Sequence, residues 1–155
     1  MMTRRILLAF VLLPFAAAAA DEAIDVAIVV KPEVPVDGLT MAEVRKVFMG
    51  ERQYWTSNMR VTLLVRAPVA RERSIVLTKL YEMTEAQYRQ YWISKVFRAD
   101  AATGPKIVYT NDMAVELVKA IPGAVAFVDS KKVPAGLKVL KVDGKLPGEK
   151  GYPLR

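Results

Sequence analysis

Three arginines crowd one short stretch of the chain, "VRAPVARERS" at residues 65–74. Arg66 closes the apolar run "VTLLV", Pro68 turns the chain, and Arg71 and Arg73 fall at the start of a segment with helical spacing. Guanidinium groups at such a junction can hold an oxyanion, because arginine donates in a planar two-pronged fork and the N–H groups at a helix start add positive potential. The candidate ligand-contacting residues are Arg66, Ala70, Arg71, Glu72 and Arg73, with Ala70 to Glu72 contributing backbone N–H groups. The same cluster equally fits a solvated helix face on which Glu72 neutralises its neighbours, since exposed ion pairs are common and contribute little.

Composition argues against most other chemistries, although a two-carboxylate or Ser-Lys hydrolase is still open in principle. The 155 residues include no His and no Cys, which removes the commonest general base, the commonest metal ligand and the thiol nucleophile. No Gly-x-Ser-x-Gly or Ser-x-x-Lys pattern supplies another nucleophile. The expectation is a protein that is not an enzyme, with no cofactor, metal site or disulfide.

The elements that must position the arginines follow from periodicity and caps. Residues 23–30, "AIDVAIVV", read as a buried strand ended by the prolines of "KPEVP". "TMAEVRKVF" opens with a Thr40–Glu43 capping box, places Met41, Val44, Val47 and Phe48 on one face, and stops at Gly50. A polar loop follows, in which Tyr54 and Trp55 pack over the core edge or stand exposed for a partner. After the strand at residues 60–65, the helix "ARERSIVLTKLYE" stacks Ile75, Val76 and Leu80 and leaves Arg71, Arg73 and Lys79 facing elsewhere. Thr84 to Gln87 caps a third helix whose stripe of Tyr88, Tyr91, Trp92 and Val96 suits core packing.

A short strand "KIVY", a helix capped by Thr110 or Asn111, a buried strand in "PGAVAFVD" and a strand at residues 137–142 complete the chain. Asp25, Asp112 and Asp129 lie near element ends, where turn and capping roles suffice. Lys131, Lys132, Lys138, Lys141, Lys145 and Lys150 form a basic C-terminal region of solubilising type. Strands alternating with capped helices give an α/β fold, with a mixed or mainly parallel sheet covered by helices. Ligands of such sheets sit at the carboxyl ends of strands, where Arg66 falls.

Residues 1–20 have the order of a secretory signal peptide: Arg4 and Arg5, an apolar run, then alanines before Asp21-Glu22. The apolar run is short for a membrane anchor, and without cysteine there is no lipoprotein attachment. A periplasmic protein is expected, with residues 21–155 forming one domain. The formal net charge is +7, of which Arg4 and Arg5 supply two units. For an exported chain that excess suits anionic small molecules, membrane surfaces or solubility, and not nucleic acid.

The order "IVVKPEVPVDGLTMAEVRKVFMGERQYW", "VRAPVARER", "YWISKVF", "AVELVKAIPGAVAFVD" resembles one lobe of the phosphate ABC transporter substrate-binding protein family, a type II periplasmic-binding-protein-like fold. The resemblance runs from about Val26 to about Val142. It implies a solute-binding protein for phosphate or a similar oxyanion, used in transport or sensing. Its implied partners are a membrane transporter, a sensor or a second copy of the chain. Arg66 matches the family's leading arginine and Arg73 a basic residue that follows the motif. The family's hydroxyls and glycines are replaced here by Ala67, Pro68, Val69, Ala70, Arg71 and Glu72. The alternative implied by those departures is a non-catalytic accessory or interaction module that kept the lobe and lost its ligand. A single lobe would leave an anion partly hydrated, so binding is expected to be weak and salt-sensitive, with a Kd on the order of 0.1–1 mM.

The secreted protein is expected to begin at Asp21, and intact-mass measurement of the periplasmic form checks it. An uncleaved N-terminus would overturn the assignment.

Overall fold

The computed structural model describes residues 23–101 and 103–155; the leader expected at residues 1–20 lies outside them. In chain order the strands are β1 Val26–Val30, β2 Gly38–Leu39, β3 Tyr54–Thr56, β4 Met59–Arg60, β5 Thr62–Arg66, β6 Lys106–Val108, β7 Ala124–Asp129, β8 Lys138–Val139 and β9 Lys141–Val142. The helices are α1 Met41–Phe48, α2 Arg71–Val76, α3 Glu85–Phe97 and α4 Asn111–Ala120, and α2 runs on as a π-helical turn, Leu77–Tyr81. No helix among the described residues is long and apolar enough to cross a membrane.

Five strands form the main sheet in the order β6-β5-β7-β1-β8. β5 pairs parallel with β6 and β7, whereas β1 runs antiparallel to β7 and β8, so the sheet is mixed. The parallel register, Arg66 opposite Val108 and Leu64 opposite Ala126, brings the carboxyl ends of β5, β6 and β7 side by side. That geometry positions the site.

Alternation along β1 and β7 builds a core on each face of the sheet. Val26, Ile28, Val30, Val125 and Phe127 face α1, α2 and α3 with Phe48, Leu80 and Trp92. Ala27, Val29, Ala124, Ala126 and Val128 face α4 with Ala114 and Val118. Small residues on the second face let α4 approach closely, whereas aromatics fill the first. Phe48 and Phe127 meet there at 5.9 Å, and Tyr81 meets Tyr88 edge-on at 5.0 Å.

Both capping boxes form: Thr40 and Thr84 accept from the N–H groups of Glu43 and Gln87, whose side chains accept in return from the caps. Thr110, rather than Asn111, caps α4. The polar loop at residues 51–58 is partly a ribbon, β3 against β4, which buries Trp55 and leaves Tyr54 half exposed under the Arg60 guanidinium. The Trp55 indole N–H donates to the Gly123 carbonyl at 2.8 Å. The terminal strand divides in two: β8 joins the main sheet and β9 pairs with β2. Asp25 also does more than end an element. It is buried, accepts from the Gly148 N–H and faces Arg155 Nε at 2.9 Å, while Tyr152 donates to the Val26 carbonyl at 2.6 Å. The C-terminal tail is thus pinned onto β1.

Gly123 and Gly144 share a left-handed φ of +76°, but a side chain at Gly123 would stand 2.0 Å from the Arg60 carbonyl oxygen and one at Gly144 would meet nothing within 4 Å. Gly144→Ala is expected to cost about 1 kcal/mol, from backbone strain alone, and Gly123→Ala at least ~3 kcal/mol. Urea denaturation of the two variants measures the difference; equal costs would refute the close approach.

Candidate functional site

Arg66 ends β5 beneath the short loop of residues 67–70. Ala67 donates to the Val108 carbonyl at 2.9 Å and Ala70 closes the turn onto Ala67 at 3.3 Å, so the loop is tied to β6. Pro68 fixes one turn residue, and Val69 is fully exposed with φ +73°, a conformation β-branched residues rarely adopt. The chain then enters α2 with Ala70 as an N-cap that offers no side-chain bond.

The five sequence-selected residues do not form one open arginine cluster. Arg66 and Glu72 are both buried, with side chains 9% exposed, and Arg66 Nη1 lies 3.2 Å from Glu72 Oε2. Asn111, the first residue of α4, completes the arrangement. Its Oδ1 accepts from Arg66 Nη1 at 2.6 Å and from the Asp129 N–H at 3.3 Å, and its Nδ2 donates to Glu72 Oε1 at 3.1 Å. The carboxamide can point in one sense only, because its oxygen meets two donors and its nitrogen an acceptor. Arg66 Nη2 donates to the Tyr109 carbonyl at 3.3 Å, while Arg66 Nε is buried without a hydrogen-bond partner.

Arg73 turns away from this cluster. It is buried, not solvated as the helical spacing suggested, and its Nε and Nη2 grip both Glu85 oxygens at 2.7 and 2.8 Å. Its Nη1 donates to the Arg66 carbonyl at 2.9 Å, and its guanidinium stacks 4.7 Å over the Tyr88 ring. Arg73 therefore fastens the end of β5 to the start of α3. The Glu85 bond raises the Arg73 pKa further, and in return the Arg73 bond lowers that of Glu85. Burial pushes the Tyr88 hydroxyl up to about 12, against the pull of Arg73. An apolar groove of ≈ 490 Å³ between α3 and β6, walled by Pro68, Tyr88, Trp92 and Ile107, lies beside Arg73 and includes neither Arg66 nor Glu72. Arg71, on the first turn of α2, is exposed.

Sequence reasoning missed Asn111 as a site residue. Its position just inside a helix start was legible, but its partners lie 45 and 39 residues away and meet it only because β5 and β6 are parallel neighbours. Arg66 is also bound into the fold, buried against Glu72. A buried guanidinium needs its counter-charge, and truncating one partner of such a pair costs roughly 3–5 kcal/mol. In chemical terms, a guanidinium and a carboxamide converge on two oxygens of a carboxylate. Such donors suit any small oxyanion, and here the oxyanion belongs to the chain itself.

Comparison with solved structures bears on this geometry. The fold matches an ABC-type phosphate transport receptor from Vibrio cholerae with a TM-score of 0.64 at 18% identity over 80% of this chain. It matches PstS from Borrelia burgdorferi with a TM-score of 0.67 at 17% identity over 84% of this chain. A third match, at a TM-score of 0.62 and 15% identity over 79% of this chain, is a Clostridium perfringens structure described as a phosphate ABC transporter substrate-binding protein with bound phosphate. The chain covers 48%, 54% and 46% of these proteins, about half their length. No protein-family model and no curated protein matches the sequence. The chain therefore has the fold of phosphate-transporter substrate-binding proteins, built on about half their length.

Because Glu85 has a depressed pKa in the folded state, it stabilises the fold above its ordinary 4.5 and that contribution disappears as the pH falls through the lower folded value. Glu85→Gln is expected to flatten the loss of thermal stability below about pH 4.5. Melting curves from pH 6 to pH 3 test this, and an unchanged acid limb would show that the pair contributes nothing.

Proposed function

We propose that this chain is an exported, non-enzymatic solute-binding module for a phosphate-like oxyanion, with Arg66 as the ligand arginine, acting in transport or sensing beside a membrane partner or a second copy. The observation that carries the reading is the pairing of a buried arginine with a carboxylate at the carboxyl ends of three parallel strands, where α/β sheets hold ligands. The likeness to phosphate transport receptors supports the same chemistry. The signal-like residues 1–20 support export.

A second reading, an accessory or interaction module without a ligand, draws on the same pair: Glu72 already neutralises Arg66, so an incoming anion must compete with it. Glu72 and the missing hydroxyls both weaken binding, and the expected Kd is on the order of 1 mM or weaker, with further loss on adding salt. Differential scanning fluorimetry of residues 21–155 in phosphate, sulfate and chloride at matched ionic strength tests the proposal. A rise in Tm with phosphate or sulfate supports the oxyanion reading, since a ligand of the native state stabilises it. No rise favours the accessory module.

A further inference from the structure

We propose that Glu72 is the resident occupant of the oxyanion site, so that its side chain sets whether, and how tightly, an external oxyanion binds at Arg66 and Asn111. This rests on the reading of Arg66 as the ligand arginine. Three observations carry it. First, each oxygen of the Glu72 carboxylate has a polar neighbour: Arg66 Nη1 lies 3.2 Å from Oε2 as an ion pair, and Asn111 Nδ2 donates to Oε1 at 3.1 Å. Two oxygens of a carboxylate are spaced nearly as one edge of a phosphate or sulfate, so the same donors serve either.

Second, the Glu72 carboxylate leaves a donor over. Arg66 is nine-tenths buried, yet its Nε has no partner. A buried N–H without an acceptor is costly, and the Glu72 carboxylate, seated on Nη1, leaves it unmet. An ion pair serving the fold alone would gain from saturating its arginine, as Arg73 does with two bonds to Glu85 and one to the Arg66 carbonyl. The two buried arginines of one loop thus differ, and the incomplete one faces Glu72.

Third, the segment that carries Glu72 is held with strain. Val69 adopts φ +73° while fully exposed, so no packing of its side chain offsets the conformational cost. Glu72 lies three residues further on, after an N-cap that makes no side-chain bond. Asn111 is fixed from behind by the Asp129 N–H, so it stays in place when the carboxylate is withdrawn.

The test is replacement of the resident anion by one from solution. Glu72→Ala deletes the carboxylate and leaves Arg66 buried and uncompensated, so in chloride the variant melts below the intact chain. Formate, phosphate or sulfate at matched ionic strength is expected to restore it by roughly 4 °C or more at about ten times the Kd, with an affinity at least tenfold above that of the intact chain. Arg66→Leu with Glu72→Leu, lacking both charges, is expected to show no such response. If Glu72→Ala does not fold in chloride, refolding yield in phosphate against chloride gives the same readout, and recovery in neither overturns the inference.

The outcomes separate the two claims. Stabilisation of both the intact chain and Glu72→Ala, stronger in the variant, supports both. Stabilisation of the variant alone supports the resident-anion inference and overturns oxyanion binding by the intact chain. Equal stabilisation overturns the inference and leaves the oxyanion reading standing. A response in neither protein, or one as large in the doubly neutral variant, overturns the assignment of Arg66.

Discussion

A guanidinium buried at the carboxyl end of an internal strand must be neutralised, and much of the molecule answers to that constraint. Arg66 is more than nine-tenths buried between β6 and β7. Glu72 supplies the opposite charge, Asn111 ties the two together, and the Tyr109 carbonyl takes a further donor. Desolvation of both ions is offset only because nearly every oxygen and nitrogen finds a partner. The loop at residues 67–70 and the starts of α2 and α4 are thereby locked to one another.

The second buried arginine extends the frame. Arg73 joins the end of β5 to α3 through Glu85 and lies over Tyr88, which packs edge-on against Tyr81. Tyr81 in turn donates to the Phe48 carbonyl at 2.9 Å, connecting the site to α1 and the aromatic core. Burial of these hydroxyls pushes their pKa values up, so they remain neutral donors. A chain that spans about half the length of the proteins it resembles thus fills the carboxyl ends of its parallel strands with its own side chains.

Much was legible from sequence because the signals are local. The capping boxes at Thr40 and Thr84, the apolar face of α1, the stop at Gly50 and the buried strands at β1 and β7 depend on neighbours a few residues away. The position of Arg66 at a strand end was legible for the same reason. The ribbon at Tyr54 and the division of the last strand were not, since both depend on which distant strand offers a partner.

Local patterning of residues sufficed for an α/β fold, the order of its elements, the absence of histidine and cysteine chemistry, and an arginine at a strand-to-helix junction. The partners of that arginine came only from the assembled fold. Helical spacing placed Arg73 on the same exposed turn as Arg71, but packing of α2 against α3 buried it on Glu85. Periodicity says nothing about Asn111, which reaches Arg66 across 45 residues because parallel strands need a long crossover before their ends can meet. Glu72 could have faced solvent as readily as the core until a buried positive charge six residues earlier gave it a partner. Charge balance in a low-dielectric interior is a property of the assembled fold, and no spacing along the chain encodes it.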